Sequence, residues 1–284
     1  MSEGAFMMSP TAAGSNLSDG AFSIAQPPVV IAYWAIRGLA APLHCLASVL
    51  GVPTRAVHYT QGDAPDFSRE AWLSVKDTLG LPAPNLPYLV DGELKITQSQ
   101  TCLRYLARRY GAGSGIYEGS AGHLAKVDEM CDAVVDARQA FTRWCYSGKP
   151  EASAFFPEQL APLLAKLAAL MAAEGGAFAV GSSLTLADFP LAELLAGVRV
   201  ATSEVLGADA LADTPLGAYL VRFESEPRVA KFMSSLAFMP RPFNNKVSGR
   251  VSRALVPVPA PPFPPSPSIC VITCPPPPQV AMWK

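Results

Sequence analysis

The spacing of apolar residues changes character partway along the chain, and the change predicts two kinds of architecture. Residues 29–34, VVIAYW, are continuously apolar, as in a strand covered on both faces. GLAAPLHCLASVLG follows with helical spacing, Pro42 in its first turn and Gly51 as its stop. TRAVHYT (54–60) reads as a second strand, REAWLSVKD as a short helix, and Tyr88–Val90 as a third strand. An Asp91-Gly92 turn joins that strand to ELKIT, and a helix is expected from about Ser99 to Tyr110. The order β-α-β-α-β-β-α implies a mixed four-stranded sheet whose last two strands form a hairpin.

From about Ala121 to Ala237 the apolar pattern is helical throughout. GHLAKVDEMCDAVVDARQAFTRWCY repeats apolar positions at 124, 127, 130, 131, 134, 135, 141, 144 and 145. FFPEQLAPLLAKLAALMAAE and TLADFPLAELLAGVRVA follow the same rule. TLAD (185–188) is a capping-box variant in which Thr185 caps the helix and Asp188 answers an N-terminal N–H. The fold class expected is an α/β domain followed by an all-α helical bundle.

Composition keeps this picture and removes several functions. Half of the 284 residues are hydrophobic and 16% are charged, which suits a globular chain with a sizeable core. A net charge of −1 gives no field to steer the molecule toward nucleic acid or an anionic membrane. No apolar run approaches the ~20 residues of a membrane span. Residues 1–28 lack a basic cluster and an apolar core, so they read as a flexible leader rather than a signal. Residues 250–284 hold eleven of the 28 prolines, which forbids helix and central strand and leaves a tail. The expected domains are therefore 29–112 and 120–249.

Six cysteines (Cys45, Cys102, Cys131, Cys145, Cys270 and Cys274) are irregularly spaced, the first four within helical patterns. They are expected as reduced thiols in a cytoplasmic protein. No CxxC occurs, and His44, His58 and His123 are far apart, so no metal is expected. GAGSG (111–115) follows a helix rather than a strand and is not a nucleotide loop.

Three strings together carry a resemblance: YWAIRGLA (33–40), GDAPDFSREAWL (62–73) and NLPYLVDGELKITQS (85–99). With TLAD and MPRPF (239–243) they are similar to the cytosolic glutathione transferases, closest to the mu class, over residues 29–246. The resemblance implies a thioredoxin-like first domain and glutathione as co-substrate. It also implies a homodimer and a cis Pro87 that turns the backbone of Leu86 toward an extended peptide. Without those flanking strings, Pro87 reads as an edge-strand proline with no ligand. Gln98 and Ser99 would take the γ-glutamyl carboxylate where a strand gives way to a helix; Ser99 is also a natural N-cap. Arg69, Trp72 and Lys76, brought together on a helical turn, would clamp the glycyl carboxylate, with Asn85 helping. The competing reading is a solvated Arg/Lys face beside a core tryptophan.

By the same resemblance Tyr33 is the catalytic residue, with Trp34 beside it and Leu39 adding to the thiol site. Asp136 would reach the glutathione amine of the neighbouring subunit. Leu39, Val135, Arg138, Tyr146 and Phe238 would line the acceptor pocket. The implied function is conjugation of glutathione to hydrophobic electrophiles. The alternatives are a glutathione-dependent isomerase of the prostaglandin-synthase type and a non-catalytic ligand-binding protein of the same fold. Ala83 stands where the family has an aromatic key, which would weaken the dimer.

Overall fold

The computed structural model describes residues 27–147 and 151–248. Residues 1–26 of the expected leader and the whole tail, with Cys270 and Cys274, lie outside these residues.

Strand β1 (Val29–Trp34) leads into α1 (Ala41–Val49) and β2 (Thr54–Tyr59); then come α2 (Glu70–Leu73), a 3-10 turn (Lys76–Thr78), β3 (Tyr88–Asp91), β4 (Leu94–Thr97) and α3 (Ser99–Tyr110). The sheet order is β2-β1-β3-β4, with β1 parallel to β2 and antiparallel to β3, and β3 antiparallel to β4. Central β1 and β3 pair Ile31 with Leu89, both fully buried. β2 is an edge, which is why TRAVHY carries an arginine and a histidine and is largely exposed.

The helix expected over REAWLSVKD is broken. After Leu73 the backbone tightens to three-residue bonds, the Val75 N–H donating to Trp72 O at 3.2 Å and the Thr78 N–H to Val75 O at 2.9 Å, while Ser74 Oγ and Thr78 Oγ1 add bonds to Glu70 O and Val75 O at 2.7 and 2.8 Å. Only α2 and the separate 3-10 turn remain.

Helix α4 (Ala121–Ser147) opens the helical part. The single helix expected over FFPEQLAPLLAKLAALMAAE is three pieces: α5 (Ala152–Phe155), a π turn (Phe156–Leu160) and α6 (Ala161–Ala173). Pro157 has no N–H for the α ladder, and the wider turn accommodates it. Trp144 of α4 closes this corner, stacked on Phe155 at 5.0 Å and edge-on to Phe156 at 5.1 Å. Helices α7 (Asp188–Leu206), α8 (Pro215–Ser225) and α9 (Pro227–Met233) complete the described chain. α1 packs against α3 on one side and against α7 and α9 on the other, so it forms the seam between sheet and helices. Cys45, Cys102 and Cys131 are buried free thiols, each pushed up to about 12 by burial.

At the start of α7 the capping arrangement differs from the expected one. Thr185 does not cap; its N–H and Oγ1 donate to Asp188 Oδ2 at 2.6 and 2.8 Å. Asp188 Oδ1 accepts from the Ala179 N–H at 2.7 Å and from Tyr219 Oη at 3.0 Å. Asp188 is thus a fully buried hub that ties the loop before α7 to α8. Asp188→Asn presents an NH2 group to donors and is expected to lower stability by about 2 kcal/mol, read as a shifted urea midpoint at constant m-value.

Candidate active site

Tyr33 lies near the C-terminal end of β1, 9% exposed. Residues 35–40 fold back over its ring. Gly38 has φ +44°, and a Cβ built there would sit 2.5 Å from Tyr33 Cε1 and 2.9 Å from Oη. The backbone therefore lies flat on the phenol, where only glycine fits. Burial pushes the Tyr33 hydroxyl above its ordinary value; the Arg138 charge and a hydrogen bond from the Leu39 backbone pull it back. The phenol stays protonated at neutral pH and acts as a donor.

Contacts from the chain's far end hold this loop. The Arg37 N–H donates to Pro242 O at 2.8 Å and the Gly38 N–H to Phe243 O at 3.3 Å. The Arg37 guanidinium grips Glu193 of α7 through Nη2 at 2.6 Å and Nε at 3.2 Å, and lies 4.3 Å from the Phe243 ring centre. Arg37, Gly38 and Glu193 were not singled out from the sequence. The only sequence signal was the glycine after Ile36-Arg37, which requires the fold to interpret.

Tyr33, Leu39, Gln98, Ser99, Val135, Arg138 and Tyr146 line one cavity of about 500 Å³ between the sheet and α4. Thr142, Arg143, Pro190 and Asn244 also contribute to its wall. The Asn245 N–H donates to Tyr146 Oη at 2.9 Å, which leaves the phenolic proton available to the cavity. At the start of α3, Gln98 is the N-cap with φ +73°, and no side chain caps the helix. Ser99 is thus the first helical residue rather than the cap. The first-turn N–H groups and the Ser99 hydroxyl sit at the cavity wall, where an anion is favoured. A left-handed conformation in a glutamine is strained, and such strain concentrates at binding sites. Gln100 Oε1, on the same wall, is the one buried side-chain N or O atom without a partner among the described residues.

Other expected residues fall elsewhere. Trp72 is buried, stacked on Tyr88 at 6.1 Å and edge-on to Tyr59 at 5.3 Å. Arg69 precedes α2 and is exposed, while Lys76 turns to Asp77 at 2.9 Å, so the three do not share one helical face. The break after α2 is the reason. Asn85 Oδ1 accepts the Leu86 N–H at 2.9 Å, which occupies the donor expected for a peptide ligand. The Leu86–Pro87 bond is cis. Trp34 packs against the core and lines neither this cavity nor a second one. Asp136 is exposed on α4, one residue after the cavity-lining Val135. Phe238 is displaced from the Tyr33 cavity: its ring sits edge-on to Phe232 at 5.7 Å and 5.1 Å from the Arg37 guanidinium, in the wall of the second cavity.

A thioredoxin-like sheet joined to a helical bundle, with a buried tyrosine beside an uncapped helix start, defines a class of thiol-ligand transferase folds. Residues 29–108 match the model for the glutathione S-transferase N-terminal domain and residues 135–236 that for the C-terminal domain. Glutathione S-transferase Mu 1 of Oryctolagus cuniculus is 36% identical over 213 residues, covering 75% of this chain and 93% of that protein. Glutathione S-transferase Mu 3 of Homo sapiens is 35% identical over 229 residues, 78% of this chain and 95% of that one. Among solved structures, the glutathione S-transferase Blo t 8 superposes with a TM-score of 0.61 at 28% identity, covering 77% of this chain and 98% of that one. The chain belongs to the glutathione S-transferase family, with mu-class relatives.

Proposed function

We propose that the protein is a glutathione transferase in which Tyr33 holds the glutathione sulfur as thiolate for attack on apolar electrophiles. The reading rests on one observation above the others: a protonated, buried phenol aimed at a cavity that also contains a free helix start. A thiol of pKa ~8.5 is about 3% ionised at pH 7. Lowering that value by ~2 units requires about 2.7 kcal/mol in favour of the anion. A phenol donating to a thiolate is worth ~1.5–3 kcal/mol, so Tyr33 supplies most of the shift.

The donor set fits glutathione. Ser99 and the first amides of α3 suit its γ-glutamyl carboxylate, and Gln100 Oε1 is an acceptor that a ligand N–H would satisfy. Trp72, Lys76 and Arg69 remain the donors assigned to the glycyl carboxylate; this requires Lys76 to exchange Asp77 for the ligand. Asn85 stays assigned to the glycyl end and the Leu86 backbone to the cysteinyl portion, through its C=O because its N–H is given to Asn85 Oδ1, and Trp34 supports Tyr33 from the core. Leu39, Val135, Arg138 and Tyr146 receive the acceptor, with Tyr146 donating to the leaving or developing anion. Relatives with the transferase name favour conjugation over the isomerase or storage alternatives.

The functional unit is assigned as a homodimer in the cytosol, the location supported by three buried free thiols. Among the described residues no helix is long and apolar enough to cross a membrane. Exposed Asp136 is assigned to the partner's glutathione amine. Asp136→Ala is then expected to raise the glutathione Kd about tenfold, the loss of one charge-assisted hydrogen bond. Titration calorimetry combined with light scattering checks this; a monomer with unchanged affinity contradicts the shared site. The function itself is tested by glutathione calorimetry beside a conjugation assay with chlorodinitrobenzene. Absence of binding heat at millimolar glutathione overturns it.

A further inference from the structure

The cavity beside Tyr33 carries charge of one sign. Among the described residues two arginines, Arg138 and Arg143, line it, and no aspartate or glutamate does. Both come from α4, whose lining residues Val135, Arg138, Gln139, Thr142, Arg143 and Tyr146 recur at the spacing of one helical face. Arg138 and Arg143 stand on the two borders of that face, ~7.5 Å apart along the helix axis. Arg138 is half-buried and Arg143 exposed. Burial pushes the Tyr33 and Tyr146 hydroxyls up, and the Arg138 charge opposes burial at both, which places that guanidinium near the reacting centre.

These two charges lack protein partners. Arg37, Arg104, Arg199, Arg228 and Arg241 each meet a carboxylate. Among the described residues Arg138 and Arg143 meet none, and the α4 acids Asp128 and Asp132 are turned to Arg104. A cleft lined by one sign of charge concentrates ligands of the other sign. Both carboxylates of glutathione are assigned elsewhere, one to the start of α3 and one to Arg69, Trp72 and Lys76, so the α4 guanidinium groups are left for the acceptor. A wholly apolar acceptor would strip water from Gln139, Thr142 and Arg143 with nothing in return. The planar fork of an arginine matches the two oxygens of a carboxylate.

We propose that the acceptor of this site carries a carboxylate on an otherwise apolar body, and that Arg143 receives it at the border of the α4 face while the electrophilic carbon lies toward Tyr33. The inference rests on the transferase reading, since it names the acceptor class of that same site. Arg138, nearer the two phenols, adds to the field that draws the anion in. Arg143 sets which electrophile is preferred and takes no part in bond making.

The test gives the full chain chlorodinitrobenzoate and its neutral carboxamide, which share the reacting carbon and the leaving group. With both, the glutathione sulfur bonds to the aryl carbon, the C–Cl pair leaves as chloride and the thiol proton passes to solvent; the carboxylate is held and not changed. Each kcat/KM is divided by the rate of the same compound with free glutathione, which removes the difference in intrinsic reactivity. The carboxylate is expected to be preferred about tenfold. Arg143→Gln is expected to abolish that preference and Arg143→Lys to keep about half of it. Arg55→Gln, an equal loss of charge on exposed β2 outside the cavity, is expected to keep all of it. Equal use of the two compounds by the wild type, or an undiminished preference in Arg143→Gln, overturns the proposal. A tenfold rise of the glutathione KM in Arg143→Gln gives the guanidinium to glutathione and overturns it too. Calorimetry with unreactive nitrobenzoate and nitrobenzamide, in excess S-methylglutathione, needs no transfer chemistry. Tighter binding of the anion, lost in Arg143→Gln, supports the carboxylate site even in a chain that neither binds glutathione nor conjugates, a result that would refute the transferase reading alone.

Discussion

Tyr33→Phe is expected to reduce kcat for aryl-halide conjugation about a hundredfold while changing glutathione affinity by less than a factor of three. The hydroxyl is the only group removed, and the ring still packs under the loop. A loss of ~1.5–3 kcal/mol from the O–H···S⁻ bond corresponds to roughly ten- to 150-fold in thiolate stabilisation. The thiolate absorbance of bound glutathione near neutral pH should vanish in parallel. Because burial raises the Tyr33 hydroxyl, the wild-type phenol remains a donor throughout the neutral range. Tyr33 ionisation would therefore leave the rate unaffected across the neutral range. A Phe variant with wild-type kcat would remove Tyr33 from the mechanism.

Gly38→Ala tests the same hydroxyl from its other side. The added methyl would meet Tyr33 Cε1 at 2.5 Å, and the residue would also have to keep φ +44°. The left-handed conformation costs an alanine ~1 kcal/mol and overpacking a further ~1–3 kcal/mol. Relief comes only by moving the ring or the loop, and either displaces the Oη that Leu39 holds. We expect a stability loss of about 3 kcal/mol and a fall in kcat of more than tenfold, with the surviving folded fraction assayed below its melting temperature. Gly51→Ala, at a glycine with φ +69° and nothing within 4 Å of an added Cβ, separates the two causes. That second variant should lose stability through strain alone and keep its turnover.

Much of this site is legible in the sequence. VVIAYW is a buried strand because six consecutive apolar residues suit a position covered on both faces, and the structure places it at the centre of the sheet. The Asp91-Gly92 turn fixed the β3–β4 hairpin, and the helix expected at Ser99–Tyr110 has those limits. These are local signals, set by period and turn chemistry. Side-chain position was less accessible. Phe238 was expected in the acceptor pocket, yet Arg37 and Phe232 draw it to the far side of the loop, and no local pattern encodes such a partnership. Ser99 was expected to cap α3, but Gln98 occupies the cap, a shift of one residue that frees the serine for a ligand. The turn expected to align Arg69, Trp72 and Lys76 is interrupted because the backbone tightens to three-residue bonds after Leu73, Val75 N–H to Trp72 O and Thr78 N–H to Val75 O.

The sequence alone determined the order of strands and helices, through periodicity, and the family to which the chain belongs, through short contiguous strings. Only the tertiary structure decided that Gly38 presses on Tyr33, that Arg37 is spent on Glu193, and that a second cavity backs onto the first. The Arg37–Glu193 pair joins residues 156 positions apart, and the cavity lining runs from Ile36 to Pro240. Their energies come from desolvation and close packing, which exist only once distant segments exclude water from one another.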